Sequence, residues 1–173
     1  MSRTLSRLLA LLVAALVVTG SQIALTPAPA SAKIWKVPES DLSLDPLVKL
    51  TEYETRVVNL VNKKRVAHDL KPVRYFQSCL DGMAERWARH LADIGELVHR
   101  DQRKVLRRCD LTWAGETLVR GTALSPTEAV KAWMNSKPHR AVLMKARANR
   151  AGVGVKLDNH GRVVGVLNFG DYN

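Results

Sequence analysis

Between Cys79 and Ile94 the apolar residues Leu80, Met83, Ala84, Trp87, Ala88, Leu91 and Ile94 recur every three to four positions, as on one face of an α-helix. Gly95 supplies its stop, because glycine enters the left-handed conformation at a helix end without strain. The same period predicts a helix over about residues 52–68, with Tyr53, Val57, Leu60, Val61 and the stem of Lys64 inward. A third runs from Pro126 to about Asn135, with Ala129, Val130 and Trp133 inward. Thr51–Glu54, Ser78–Asp81 and Ser125–Glu128 each put a hydroxyl at a helix start and an acid three residues on, the capping-box spacing. Pro138 should end the third helix, with a fresh turn over residues 141–144.

The period changes near the C-terminus. AGVGVKL (151–157) and RVVGVLNF (162–169) are valine-rich and separated by the turn cluster DNHG, which predicts an antiparallel hairpin. Residues 73–76 and 117–120 are candidates for further strands. Helices first and a hairpin last predict an α+β layered fold rather than alternating βαβ units. Residues 33–50, with two prolines and no sustained period, read as a linker or N-terminal arm ahead of a domain over 51–173.

The first 32 residues have a different character. Arg3 and Arg7 precede the apolar run LLALLVAALVV, and Ala30-Ser31-Ala32 offers a small-residue cleavage site, the three parts of a secretory signal peptide. The expectation is cleavage after Ala32 and a secreted, extracellular, monomeric protein with no transmembrane segment after processing. The alternative is an uncleaved N-terminal anchor. In an oxidising compartment Cys79 and Cys109, the two cysteines of the chain, read first as a disulfide. A two-cysteine metal site or a catalytic thiol are the alternatives.

Charge adds a partner class. The chain carries 27 Lys and Arg against 16 Asp and Glu, a formal net charge of +11. Such an excess favours polyanions. Arg100, Arg103, Lys104, Arg107 and Arg108 fall on one helical face, either a solvated surface or a docking stripe for acidic cell-envelope polymers. Export and the lack of interleaved aromatics argue against nucleic acid.

No H-E-x-x-H, G-x-S-x-G, phosphate-loop or zinc-finger spacing occurs. Among the five histidines, His68, His90 and His160 lie at a helix end, beside an apolar stripe and in a turn. His99 and His139 instead follow helix stops, where side chains can face a cleft. His139 also opens a helical turn, a position that disfavours the imidazolium. Glu116, in AGETL, is the acid that could share a site with them.

Several segments, in order, resemble the bacterial branch of the CAP superfamily, also called the SCP domain, with cysteine-rich secretory proteins, antigen 5 and pathogenesis-related proteins. VVNLVNKKRVAHDLKPV resembles the opening helix and its following turn, with Asp69 where glycine is usual. GELVH resembles the segment ending in the first site histidine, and GETL the G-E-N-[ILV] motif, with Thr117 for asparagine. SPTEAVKAWMNSKPHRAVLM resembles the W-x-x-S-x-x-H-R segment, with Pro138 for glycine; AGVGV and VLNFG resemble the closing strands. The likeness spans residues 52–170.

It implies a three-layer α-β-α sandwich with a central cleft. In animal and plant members a His-Glu-Glu-His tetrad lines that cleft and can hold a divalent metal. His99, Glu116 and His139 match three of its members, while Ser136 stands at the second glutamate. Two histidines and a glutamate are an acceptable zinc set with one open position, although no cofactor is required. The leading expectation is binding of a small, lipid-like or envelope-derived ligand without turnover. A metal-dependent hydrolase using the same cleft, with Glu116 as base, and a polyanion-binding envelope module are the alternatives.

Overall fold

The structure is a computed structural model and describes residues 46–75 and 78–172; the expected signal peptide and most of the expected arm lie outside them. Its elements are α1 (Pro46–Val66), α2 (Ser78–Ile94), α3 (Gln102–Cys109), β1 (Trp113–Gly121), α4 (Pro126–Asn135), α5 (Lys137–Leu143), β2 (Arg150–Leu157) and β3 (Val163–Asp171). The strands form an antiparallel sheet in the order β1-β3-β2.

The sheet is buried on both faces, which explains why its sequences read as near-continuous apolar runs. On one face Leu118, Val164 and Val166 meet Ala84, Ala88, Leu91 and Ala92 of α2. On the other, Val119, Ala151, Val153, Val155, Leu167 and Phe169 pack with Val57, Val58 and Val61 of α1, Ala129, Val130 and Trp133 of α4, and Leu143 of α5. This is the expected α-β-α sandwich with its C-terminal hairpin. The alternation in AGVGV has a steric cause. A Cβ at Gly152 would lie 2.2 Å from the Asp81 backbone nitrogen, and one at Gly154 2.4 Å from the Ala84 carbonyl carbon. Helix α2 therefore rests directly on the backbone of β2.

A smaller cluster of Leu80, Met83, Val105 and Cys109 seats α3 against α2. The Cys79–Cys109 disulfide, with Cα atoms 5.6 Å apart, fastens the end of α3 to the start of α2.

Several local expectations change. Helix α1 starts at Pro46, so residues 46–50 belong to it rather than to a linker; proline suits a first turn because its missing N–H has no partner there anyway. Thr51 lies inside this helix, where its carbonyl accepts from the Thr55 hydroxyl at 3.0 Å. The helix ends before Asp69, which takes a left-handed φ of 57° in place of the usual glycine. Two of the three expected capping acids do other work. Glu54 Oε1 accepts from the Val155 N–H and Asp81 Oδ1 from the Val153 N–H, each at 3.0 Å. With the Ala151 N–H donating to the Arg74 carbonyl at 2.7 Å, they close the outer edge of β2. The expected strand at 73–76 is reduced to the single Arg74–Arg150 bridge, with Phe76 outside the described residues. The Ser125–Glu128 capping box forms as read.

The break near Pro138 also shifts. The chain turns at Ser136 (φ −90°, ψ 118°), and Pro138 sits in the first turn of α5, which starts at Lys137 rather than 141.

Candidate functional site

Strand β1 is one edge of the sheet, and the segment following Gly95 runs back along it. Arg120 donates to the Gly95 carbonyl, and Trp87 Nε1 to the Val98 carbonyl at 3.1 Å. This antiparallel approach brings His99 and Arg100 to Glu116. The His99 Nδ1 lies 2.9 Å from Glu116 Oε1, which also accepts the Arg100 backbone N–H at 3.1 Å.

Glu116 is only 5% exposed. Burial raises its pKa, opposed by the hydrogen bonds from His99 and the Arg100 backbone and by the nearby positive charge. Its Oε2 is buried without a partner among the described residues, as are both polar side-chain atoms of Asn168, its cross-strand neighbour. The His99 side chain, by contrast, is 57% exposed. One nitrogen is held from behind, leaving Nε2 directed away from that carboxylate.

The second ring comes from α5. His139 lies in its first turn, half-buried, with its ring centroid 6.4 Å from that of His99 and an interplanar angle of 49°. Burial, then the neighbouring His99, lowers the pKa of His139, so its neutral form dominates at pH 7. Ser136 forms the α4–α5 junction without a side-chain cap bond, and among the described residues no hydrogen bond or ring contact joins it to the other three.

The position of α5 depends on a residue the sequence reading left without a role. Arg65 is fully buried, and its guanidinium donates from Nε to the Lys71 carbonyl (2.9 Å), to those of Leu143 (2.6 Å) and Lys145 (3.0 Å), and to that of Ala148 (3.1 Å). It thus ties α1 to the C-terminal end of the helix bearing His139. Asn62 does similar work, exchanging two hydrogen bonds with the backbone of Val73 at 3.0 and 2.8 Å. The available signal was two polar residues on the inner side of α1, next to Val58 and Val61. From the other side, Trp133 Nε1 donates to the Leu118 carbonyl at 2.8 Å, holding α4 to β1. Arg140 donates to the Met134 carbonyl at 2.7 Å.

Together the two imidazoles present polar edges to a common space, one of them backed by a buried carboxyl. That arrangement can donate and accept hydrogen bonds to one polar group of a ligand. Glu116 Oε1 is engaged by His99 and Arg100, and no metal-holding group of three His, Cys, Asp or Glu occurs among the described residues.

The basic stripe is divided by the fold. Asp101 caps α3, its side chain accepting the Arg103 N–H at 3.0 Å, so Arg100 precedes the helix. Arg100 turns inward, donating to the Met83 carbonyl at 3.0 Å with its guanidinium 4.6 Å above the Trp87 ring. Arg103 pairs with Asp101 at 3.1 Å. Lys104, Arg107 and Arg108 remain on the exposed face of α3.

Comparison with known proteins agrees with this architecture. The sequence model of the CAP, or cysteine-rich secretory protein, family matches residues 58–169. A Bacillus subtilis protein, YkwD, is 29% identical over 112 residues, which make up 61% of this chain but only 43% of that protein. Two solved structures share the fold at a TM-score of 0.64. An outer surface protein of Borrelia burgdorferi is 17% identical, over 70% of this chain and 94% of its own. An extracellular SCP-domain protein of Bacillus anthracis is 21% identical, over 75% and 44%. With that family match over residues 58–169 and the three-layer sandwich, the chain belongs to the CAP, or cysteine-rich secretory protein, family.

Proposed function

We propose that this protein is exported and binds a small amphiphilic, envelope-derived ligand at the His99–Glu116–His139 cleft, without turnover. The observation that carries this reading is the combination of chemistries on one segment. His99 faces His139 across 6.4 Å, while Ile94, Leu97 and Val98 just before it are 43%, 38% and 42% exposed. Exposed apolar residues beside a polar pair suit a molecule with a polar head and an apolar body. His139, depressed in pKa, accepts a hydrogen bond from such a head as a neutral ring; His99 offers its outer nitrogen.

Export is supported by the composition of residues 1–32 and by the family, whose matched relatives include proteins described as extracellular and outer-surface. No helix among the described residues is long and apolar enough to cross a membrane. N-terminal sequencing of culture-supernatant protein should start at Lys33; a full-length chain held in membranes would overturn the export reading.

Ligand binding is tested by titrating protein with ¹⁵N-labelled histidine with a lipid extract of the producing cells' envelope. The ring resonances of His99 and His139 should shift, and His139→Ala should weaken binding at least about tenfold, equivalent to one lost buried hydrogen bond. Shifts confined to His68, His90 and His160, or no shift at all, would overturn it.

A further inference from the structure

Helices α2 and α3 border a shallow, open surface cavity of about 440 Å³ lined by Met83, Arg86, Lys104, Arg107 and Arg108. Four of the five lining side chains are cations, and no carboxylate lines it. Among the described residues none of the four makes a side-chain hydrogen bond or ion pair, whereas Arg100, Arg103, Arg147 and Arg162 nearby in sequence or elsewhere all do. Four like charges around one concavity repel one another, and an anion seated among them relieves that repulsion.

The charges are also held in place. The Cys79–Cys109 disulfide and the Leu80–Met83–Val105–Cys109 cluster fix α3 on α2 beneath the cavity. Gly82 leaves room for the Arg86 guanidinium, whose Nη1 would lie 3.1 Å from a Cβ there. Three guanidinium forks match the paired oxygens of a tetrahedral oxyanion better than ammonium groups would. The open cavity leaves room for an extended chain to pass across it.

We propose that Arg86, Lys104, Arg107 and Arg108 form a phosphate-binding site for a soluble phosphodiester-linked chain. A membrane surface fits less well, because none of the exposed large apolar residues (Val66, Tyr75, Ile94, Leu97, Val98, Leu157) lines the cavity to enter a bilayer. Single-stranded nucleic acid fits less well, because no aromatic side chain lines it to stack a base. Arg86 adds a cation from α2 that no linear pattern within α3 contains. The site is independent of the histidine cleft.

The test is calorimetric titration of the purified protein with a synthetic glycerol-phosphate hexamer, beside a thymidine hexanucleotide and phosphatidylglycerol vesicles. Arg86→Gln/Arg107→Gln is compared with Lys71→Gln/Arg74→Gln, which removes two cations from a separate basic cavity. The hexamer should bind wild type more tightly than the other two probes. The first double variant should lose about tenfold or more in affinity and flatten the salt dependence by about two phosphate contacts; the control should lose less than about threefold. Arg86, Arg107, Lys71 and Arg74 are all exposed, and thermal unfolding verifies that each variant folds. Equal losses in both variants, or tighter binding of vesicles or oligonucleotide, would overturn the proposal.

Discussion

Arg65→Met should destabilise the domain more than any other single replacement of a charged residue in α1. The guanidinium is fully buried and pairs with no carboxylate among the described residues; four backbone carbonyls compensate its charge. Burial lowers its pKa, without taking it out of the charged form at neutral pH. Methionine keeps much of the stem but donates nothing. The carbonyls of Lys71 and Lys145, on exposed residues, regain water, while those of Leu143 and Ala148 are buried and lose their partner. Each unsatisfied buried acceptor costs about 1–3 kcal/mol, and the lost charge-assisted bonds add to this, offset by no longer desolvating a cation. The net expectation is about 3–5 kcal/mol, against a total of about 5–15 kcal/mol for a domain. Urea unfolding should show a midpoint lower by about 2 M with an unchanged slope. Arg65→Lys keeps the charge without the planar fork, so it should fall between wild type and Arg65→Met. Because Leu143 ends α5, amide exchange in α5 should accelerate in Arg65→Met before exchange in α2 does. An Arg65→Met protein within about 1 kcal/mol of wild type would refute the argument that these carbonyls depend on the guanidinium.

Gly154→Ala should cost about 3 kcal/mol or more, since its Cβ would meet the backbone of Ala84 and Glu85 at 2.4 Å and the whole of α2 would have to move; a urea midpoint like wild type would show that α2 does not lie so close. Glu54 sets a pH dependence: burial, with smaller contributions from Asp81 and Glu85, raises its pKa from 4.5 to about 7, against the Val155 hydrogen bond and Lys156. The folded state then holds a proton that the unfolded state releases, so stability should fall as pH rises from about 4.5 to 7 and level off above. Glu54→Gln, which keeps an acceptor for Val155, should remove that slope and be more stable at pH 8 by about 2–3 kcal/mol; an unchanged slope in chemical denaturation across pH 5–8 would refute the assignment.

Several elements were legible in the chain. The apolar spacing of α2, the Ser125–Glu128 box with Pro126, and the valine-rich hairpin are local signals, because each depends on neighbours within a few residues. The order of family-like segments pointed to the sandwich, and through it to His99, Glu116 and His139. The partners of long side chains were not legible. Glu54 and Asp81 have the spacing of helix caps, yet they bond to Val155 and Val153 respectively, whose edge position depends on how β2 packs. Arg100 continues a basic periodicity but turns inward because Asp101 starts α3 one residue later, and Arg86 meets that helix from an element some twenty residues earlier. Arg65 finds three of its four carbonyls 78 to 83 residues away. Periodicity reports which face of an element is buried; it carries no information about which distant backbone will present an unpaired donor or acceptor there. Only packing of α1, α2 and α5 around the sheet decides that, because the cost of leaving such a group unpaired arises only once water is excluded.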